Sequence, residues 1–93
     1  MKNNIRAHVV ITGKVQGVCF RMETKKAAER YGVFGWARNV IDGSVEAVFE
    51  GDEEKVNLIL KWCKKGASQS TVKKVDVSWE EYNNEFLGFE IRY

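Results

Sequence analysis

The pair Asp42-Gly43 limits the possible folds of this chain more than any other feature. It stands between two β-like runs, residues 34–41 and 44–51. Asp-Gly in that setting is a strong local signal for a hairpin, because a type I′ turn needs positive φ at both central residues. In the second run Val45, Ala47 and Phe49 fall on one face and Ser44, Glu46 and Glu50 on the other. A helix-like segment lies on each side of this hairpin. Before it, residues 21–31 are rich in Glu, Lys, Ala and Arg. Phe20, Thr24, Ala27, Ala28 and Tyr31 share one stripe there, and Gly32 is placed as a C-terminal stop. After it, Asp52 can cap a second helix with Glu53 and Glu54 in the first turn. Lys61, Lys64 and Lys65 lie near that helix's end and Gly66 just beyond, so the charges complement the macrodipole.

Helices on either side of a hairpin must each cross over to a further strand. Residues 5–13 alternate, with Ile5, Ala7, Val9 and Ile11 on one face and Arg6, His8, Val10 and Thr12 on the other. Val72, Val75, Val77 and Trp79 predict a long fourth strand. Residues 86–93, with Phe89, Ile91 and Tyr93 alternating, predict a last one. The order β-α-β-β-α-β with a terminal strand added predicts an α+β, ferredoxin-like sandwich: an antiparallel sheet with two helices on one face.

The chain has 93 residues, which predicts one domain. Its 44% hydrophobic and 30% charged composition is that of a soluble globular protein, with no proline and no repeat. A net charge of +2 and a pI near 8.6 are too mild to indicate nucleic acid. No apolar run approaches the roughly 18 residues of a membrane span, and Met1-Lys2-Asn3-Asn4 has no signal-peptide character. These features predict a cytoplasmic chain, whose two cysteines, Cys19 and Cys63, are free thiols.

An open sheet face on this topology also describes RNA-binding modules. Those need stacking aromatics on the central strands. Here the first strand offers His8, and the third carries Glu46 and Glu50, which repel phosphate. One His and two distant Cys cannot assemble a transition-metal site. A nucleophile–base–orienter triad lacks parts, because His8 is the only imidazole, and it reads as a sheet-face residue.

One run remains: Gly13-Lys14-Val15-Gln16-Gly17-Val18-Cys19-Phe20-Arg21, joining the first strand to the first helix. Its two glycines can adopt conformations closed to other residues, so successive N–H groups can turn toward one centre as an anion nest. The helix dipole and the Arg21 guanidinium would add to it. An arginine in a helix's first turn works against the dipole, a misfit expected where an anion is bound.

The segments Gly13-x-Val15-Gln16-Gly17-Val18-x-Phe20-Arg21, Gly35-Trp36-x-Arg38-Asn39 and Asp42-Gly43-Ser44-Val45-Glu46 together resemble the acylphosphatase family. The likeness extends through Trp62-Cys63-Lys64-Lys65-Gly66 to Phe89-Glu90-Ile91-Arg92 and covers nearly the whole chain. It implies a ferredoxin-like fold and hydrolysis of acyl phosphates to a carboxylate and inorganic phosphate. It further implies that Arg21 binds phosphate, that Asn39 positions the attacking water, and that the backbone of Val15, Gln16, Gly17, Val18, Cys19 and Phe20 cradles the phosphoryl oxygens. Cys19 falls at a variable position of the family pattern. Ala67 departs from it, standing where many members carry proline, which puts one loop conformation in question. The implied reaction needs no cofactor and no metal. Inorganic phosphate and sulfate should compete, and no nucleic acid, membrane or second subunit is called for. The alternative is a non-catalytic phosphate-binding or regulatory module on the same fold.

Overall fold

The computed structural model describes residues 3–93. The elements are β1 (Asn4–Lys14), α1 (Phe20–Tyr31), β2 (Phe34–Asn39), β3 (Val45–Asp52), α2 (Glu53–Lys65), β4 (Thr71–Glu80) and β5 (Phe89–Arg92). They form one sheet in the order β4-β1-β3-β2-β5 with both helices on one face. Alternation decides which face of each strand meets the helices. Ala7, Val9 and Ile11 of β1, Ala37 of β2, and Val45, Ala47 and Phe49 of β3 are fully buried there. From the helices, Phe20, Thr24, Ala27 and Ala28 of α1 and Val56, Ile59, Leu60 and Cys63 of α2 complete the core. Phe20 meets Trp62 with ring centroids 5.7 Å apart and Phe49 stacks on Phe89 at 5.7 Å. Phe20, Phe49 and Phe89 are buried, and each contributes about 1.5–3 kcal/mol.

The expected helix signals operate as read. Gly32 ends α1 in the left-handed conformation, and Asp52 Oδ1 accepts the Glu54 N–H at 3.0 Å to start α2. The Ala67 loop closes on itself, the Ala67 carbonyl accepting from Ser70 N–H at 3.0 Å and Ser70 Oγ at 2.7 Å.

Three expectations need correction and one, the fourth strand, a refinement. The hairpin is not a two-residue type I′ turn. The strands stop at Asn39 and Val45, Gly43 N–H donates to the Val40 carbonyl, and Asp42 keeps a negative φ. Val40 N–H donates to the Ser44 carbonyl, so residues 41–43 form a three-residue loop with one positive φ, at Gly43, and the Asp42 carboxylate braces it by accepting from Ser44 N–H and Oγ. Those two bonds, the hydroxyl's first, hold the Asp42 carboxyl below its ordinary range.

Second, the expected long fourth strand is present as β4 but carries a bulge. The register jumps between Thr12↔Lys74 and Gly13↔Val72, so Lys73 is an extra residue and Val72 and Val75 both face the core. Third, the last strand covers only Phe89–Arg92. It pairs parallel with β2, while the other strand pairs are antiparallel as expected.

Fourth, Gly13 belongs to β1 and not to the anion loop. With φ at +132°, a Cβ there would sit 2.1 Å from the Thr71 carbonyl oxygen, so glycine is needed for strand contact at the bulge.

The helix-free face is charged. His8 faces Glu46 and Arg6 faces Glu50, as the alternation of β1 and β3 requires. Cys19 and Cys63 are both free, and burial pushes the Cys63 thiol up to about 12.

Candidate active site

The chain leaves β1 at Lys14 and must turn to enter α1 at Phe20. Val15 and Phe20 anchor the two ends of this turn in the core, each 1% exposed. Between them the sign of φ alternates: Gly17 is at +74° and Cys19 at +59°, while Gln16, Val18 and Phe20 keep negative values. Residues of alternating hand aim consecutive N–H groups at one centre, which is the geometry of an anion nest. Among the described residues, the N–H groups of Gln16 to Phe20 donate to no backbone carbonyl in the turn and loop network. They join the open first-turn N–H groups of α1, so the positive end of the helix dipole lies on the same side.

The second left-handed position is the unexpected one. Gly13 was the expected partner of Gly17, whereas the residue that supplies the turn is Cys19, the N-cap of α1, without a side-chain cap. A non-glycine residue held there costs about 1 kcal/mol or more. The surrounding core offsets that cost, because Phe20 packs against Trp62 immediately after it.

Arg21 follows in the first turn. Its Nη1 donates to the Arg92 carbonyl at 3.1 Å, and its guanidinium lies 4.9 Å above the Tyr93 ring. The end of β5 therefore fixes the guanidinium without supplying a counter-charge. Asn39 closes β2 on the same face as buried Ala37, since side chains two apart share a face. Its neighbour Arg38 points the other way and pairs with Glu46 at 2.5 Å.

Val15, Gly17, Cys19, Phe20, Arg21 and Asn39 line one pocket of about 360 Å³, with Met22, Ile91 and Tyr93 on its remaining side. The two candidate side chains read from the sequence, Arg21 and Asn39, thus line the same pocket. Gln16 and Val18 do not line it with their side chains. Val18 packs on the core, and Gln16 Nε2 donates to the carbonyls of Val40 at 2.6 Å and Ser44 at 2.9 Å. Sequence reasoning missed Met22 and the roles of Arg92 and Tyr93. The alternation of Phe89, Ile91 and Tyr93 placed the latter residues on one face but could not place β5 beside β2. Among the described residues, no group of three or more His, Cys, Asp or Glu side chains is arranged to hold a metal.

A family model described as Acylphosphatase matches residues 7–91, the span that holds the loop, both helices and Asn39. The chain belongs to the acylphosphatase family. Curated relatives agree: an acylphosphatase of Pelotomaculum thermopropionicum is 52% identical over 88 residues, covering 95% of this chain and 96% of that protein. Among solved structures, the acylphosphatase of Bacillus subtilis superposes with a TM-score of 0.92 at 29% identity, covering 96% of this chain and 99% of that one. An acylphosphatase from Coxiella burnetii gives 0.91 at 32% identity, covering 97% and 94%. An acylphosphatase fold therefore carries the pocket, and no described helix is long and apolar enough to cross a membrane.

Proposed function

We infer that the acyl phosphate hydrolysis of this family takes place in the pocket between the 15–20 loop, the start of α1 and the end of β2. The substrate is a carboxyl–phosphate anhydride, and the products are a carboxylate and inorganic phosphate. The loop N–H groups and the Arg21 guanidinium hold the phosphoryl oxygens, and the Asn39 carboxamide holds a water in line with the breaking bond. Asn39 can both donate to and accept from that water. Phosphoryl transfer leaves little covalent work to the protein, so positioning and charge stabilisation suffice. A carboxylate leaves readily, so no general acid is required, and the pocket lining includes no Asp, Glu or His side chain.

The alternating φ of the 16–20 loop, with Arg21 and Asn39 on the same pocket, is the observation that supports this reading most. It also supports phosphate and sulfate as competing anions, since both present tetrahedral oxygens to the same donors. One chain supplies every pocket group, which favours a monomer as the working unit. The free thiols favour a reducing compartment, the cytoplasm.

The test is turnover of acetyl phosphate and benzoyl phosphate by the purified protein and by Asn39→Ala. The variant should lose about 10²-fold in kcat while the inhibition constant for inorganic phosphate moves less than about threefold, because the water contact matters in the transition state and not in phosphate binding. A parallel fall of phosphate affinity, rate and thermal stability would make Asn39 a structural pin of the hairpin instead. Binding of phosphate with no turnover of either substrate would favour a regulatory module.

A further inference from the structure

Gln16 lends the cradle its backbone N–H, yet its side chain makes two hydrogen bonds away from the pocket. We propose that Gln16 is a positioning residue that sets the distance between the phosphoryl cradle and the water-orienting Asn39; the proposal rests on the roles assigned to those two parts. The Gln16 carboxamide leaves the loop and reaches the β2–β3 hairpin, where Nε2 donates to the Val40 and Ser44 carbonyls. Both acceptors are carbonyls, so only the two-proton end of the amide can satisfy them.

Their location decides what the clamp controls. Val40 directly follows Asn39, and Ser44 directly precedes Val45, the cross-strand partner of Asn39. Val40 N–H also donates to the Ser44 carbonyl at 2.9 Å, so one amide holds both sides of the hairpin where the ladder ends. The anchor sits at the first residue of the alternating-φ turn, directly beside Gly17. No other side-chain hydrogen bond among the described residues joins the 15–19 loop to the hairpin. Loop and hairpin are held by different core contacts, so this bond is the direct side-chain tie that fixes their spacing. A misplacement of about 1 Å between reacting groups can lower a rate 10²-fold.

The experiment measures kcat, the inhibition constant of inorganic phosphate and the melting temperature for Gln16→Met, alone and combined with Asn39→Ala. Met keeps the length and half-buried volume of Gln but offers no donor. Alone, Gln16→Met should lower kcat about 10–100-fold while the phosphate inhibition constant changes less than about threefold. In the Asn39→Ala background the same substitution should cost less than about threefold, since the group it positions is gone. Gln16→Asn keeps the amide but is one methylene short of spanning both carbonyls. It should fall between Gln16→Met and the unmodified chain, and it stands in for Gln16→Met if that variant does not fold.

Equal losses of kcat in both backgrounds would overturn the clamp while leaving Asn39 its role. So would an unchanged kcat, or a loss shared equally by rate, phosphate affinity and melting temperature. Unaltered turnover in Asn39→Ala alone would instead remove the water-orienting reading, and this proposal with it.

Discussion

On the open face of the sheet Arg6 reaches Glu50, Glu80 and Glu85, and Glu46 bridges His8 and Arg38. In the pocket, Arg21 meets a carbonyl and an aromatic ring. The first arrangement uses up its charges, and the second orients a charge without cancelling it. A carboxylate beside Arg21 would neutralise the guanidinium and occupy the donors that a phosphoryl group needs. A carbonyl fixes the fork through one N–H and leaves the remaining donors to the pocket. The two arginine environments therefore lead to opposite expectations on mutation, stability on one face and turnover on the other.

The largest expected effect comes from the unpaired side. Arg21→Ala should keep its fold, because the guanidinium contributes one bond to an exposed carbonyl, but it should lose at least 10²–10³-fold in kcat/KM, about 3–4 kcal/mol of transition-state stabilisation. Arg21→Lys should recover little, since a point charge cannot reproduce the planar fork. Steady-state kinetics alongside circular dichroism read both expectations. Near-normal turnover by a folded Arg21→Ala would erase the distinction between the two faces.

Glu50 tests the other side. It is 1% exposed, and its carboxylate accepts from Asn83 N–H at 2.8 Å, from Glu85 N–H at 3.2 Å and from Arg6 at 3.4 Å. It therefore ties the segment before β5 onto the sheet. Glu50→Ala takes one of three carboxylates from Arg6 and leaves the Asn83 and Glu85 N–H groups without their acceptor, so unfolding in urea should show a loss of about 2–4 kcal/mol. The kcat per folded molecule should stay within about twofold, because no Glu50 partner lines the pocket.

Glu46 should give a smaller effect, with a pH signature. The His8 hydrogen bond at 2.5 Å, followed by Arg38, holds its carboxyl below the ordinary carboxylate range against the opposing effect of burial. A folded-state pKa below the unfolded one adds stability that is fully present above the unfolded value, about 4.3, and is lost as pH falls through the lower folded value. Glu46→Gln should therefore be less stable than the unmodified chain by about 1 kcal/mol near neutrality. The gap should narrow as the pH drops below about 4. Thermal melts across that range check it, and a gap that widened on acidification would contradict the pairing.

How much of this was readable beforehand depends on the range of the interaction. The core faces of β1 and β3, the stripe of α1, the Asp52 cap and the Gly32 stop are local and followed from spacing. The bulge at Lys73 left a trace, the three-residue interval between Val72 and Val75, which breaks strict alternation. The left-handed Cys19 left none, since a cysteine is not a residue that demands positive φ. It is held by the packing of Phe20 after it. The pairing of β5 with β2 joins residues 54 apart in sequence, and the support of Arg21 by Arg92 joins residues 71 apart. No local pattern encodes such a contact. Arg21 was legible from residue chemistry as part of an anion site, whereas Asn39 was legible only through the family likeness. Residue chemistry alone pointed to an anion at the loop and said nothing of a water at the end of β2.

The smallest expected effect is none at all, and it sharpens the comparison most cheaply. If the pocket's positive field comes from loop amides, the α1 dipole and Arg21, no divalent ion has work to do there. The donor set agrees, since the pocket lining offers Arg21, Asn39 and backbone groups in place of carboxylate or imidazole ligands. EDTA should leave kcat and KM unchanged, while phosphate and sulfate should raise KM at constant kcat. Arg21→Ala should weaken that competition along with turnover, because the same donors serve substrate and inhibitor. Glu46→Gln, on the opposite face, should leave it as it was. Activity that vanished with chelator and returned with Mg²⁺ would move the decisive charge from the protein to a metal. The contrast between the free Arg21 and the paired arginines of the open face would then lose its functional meaning.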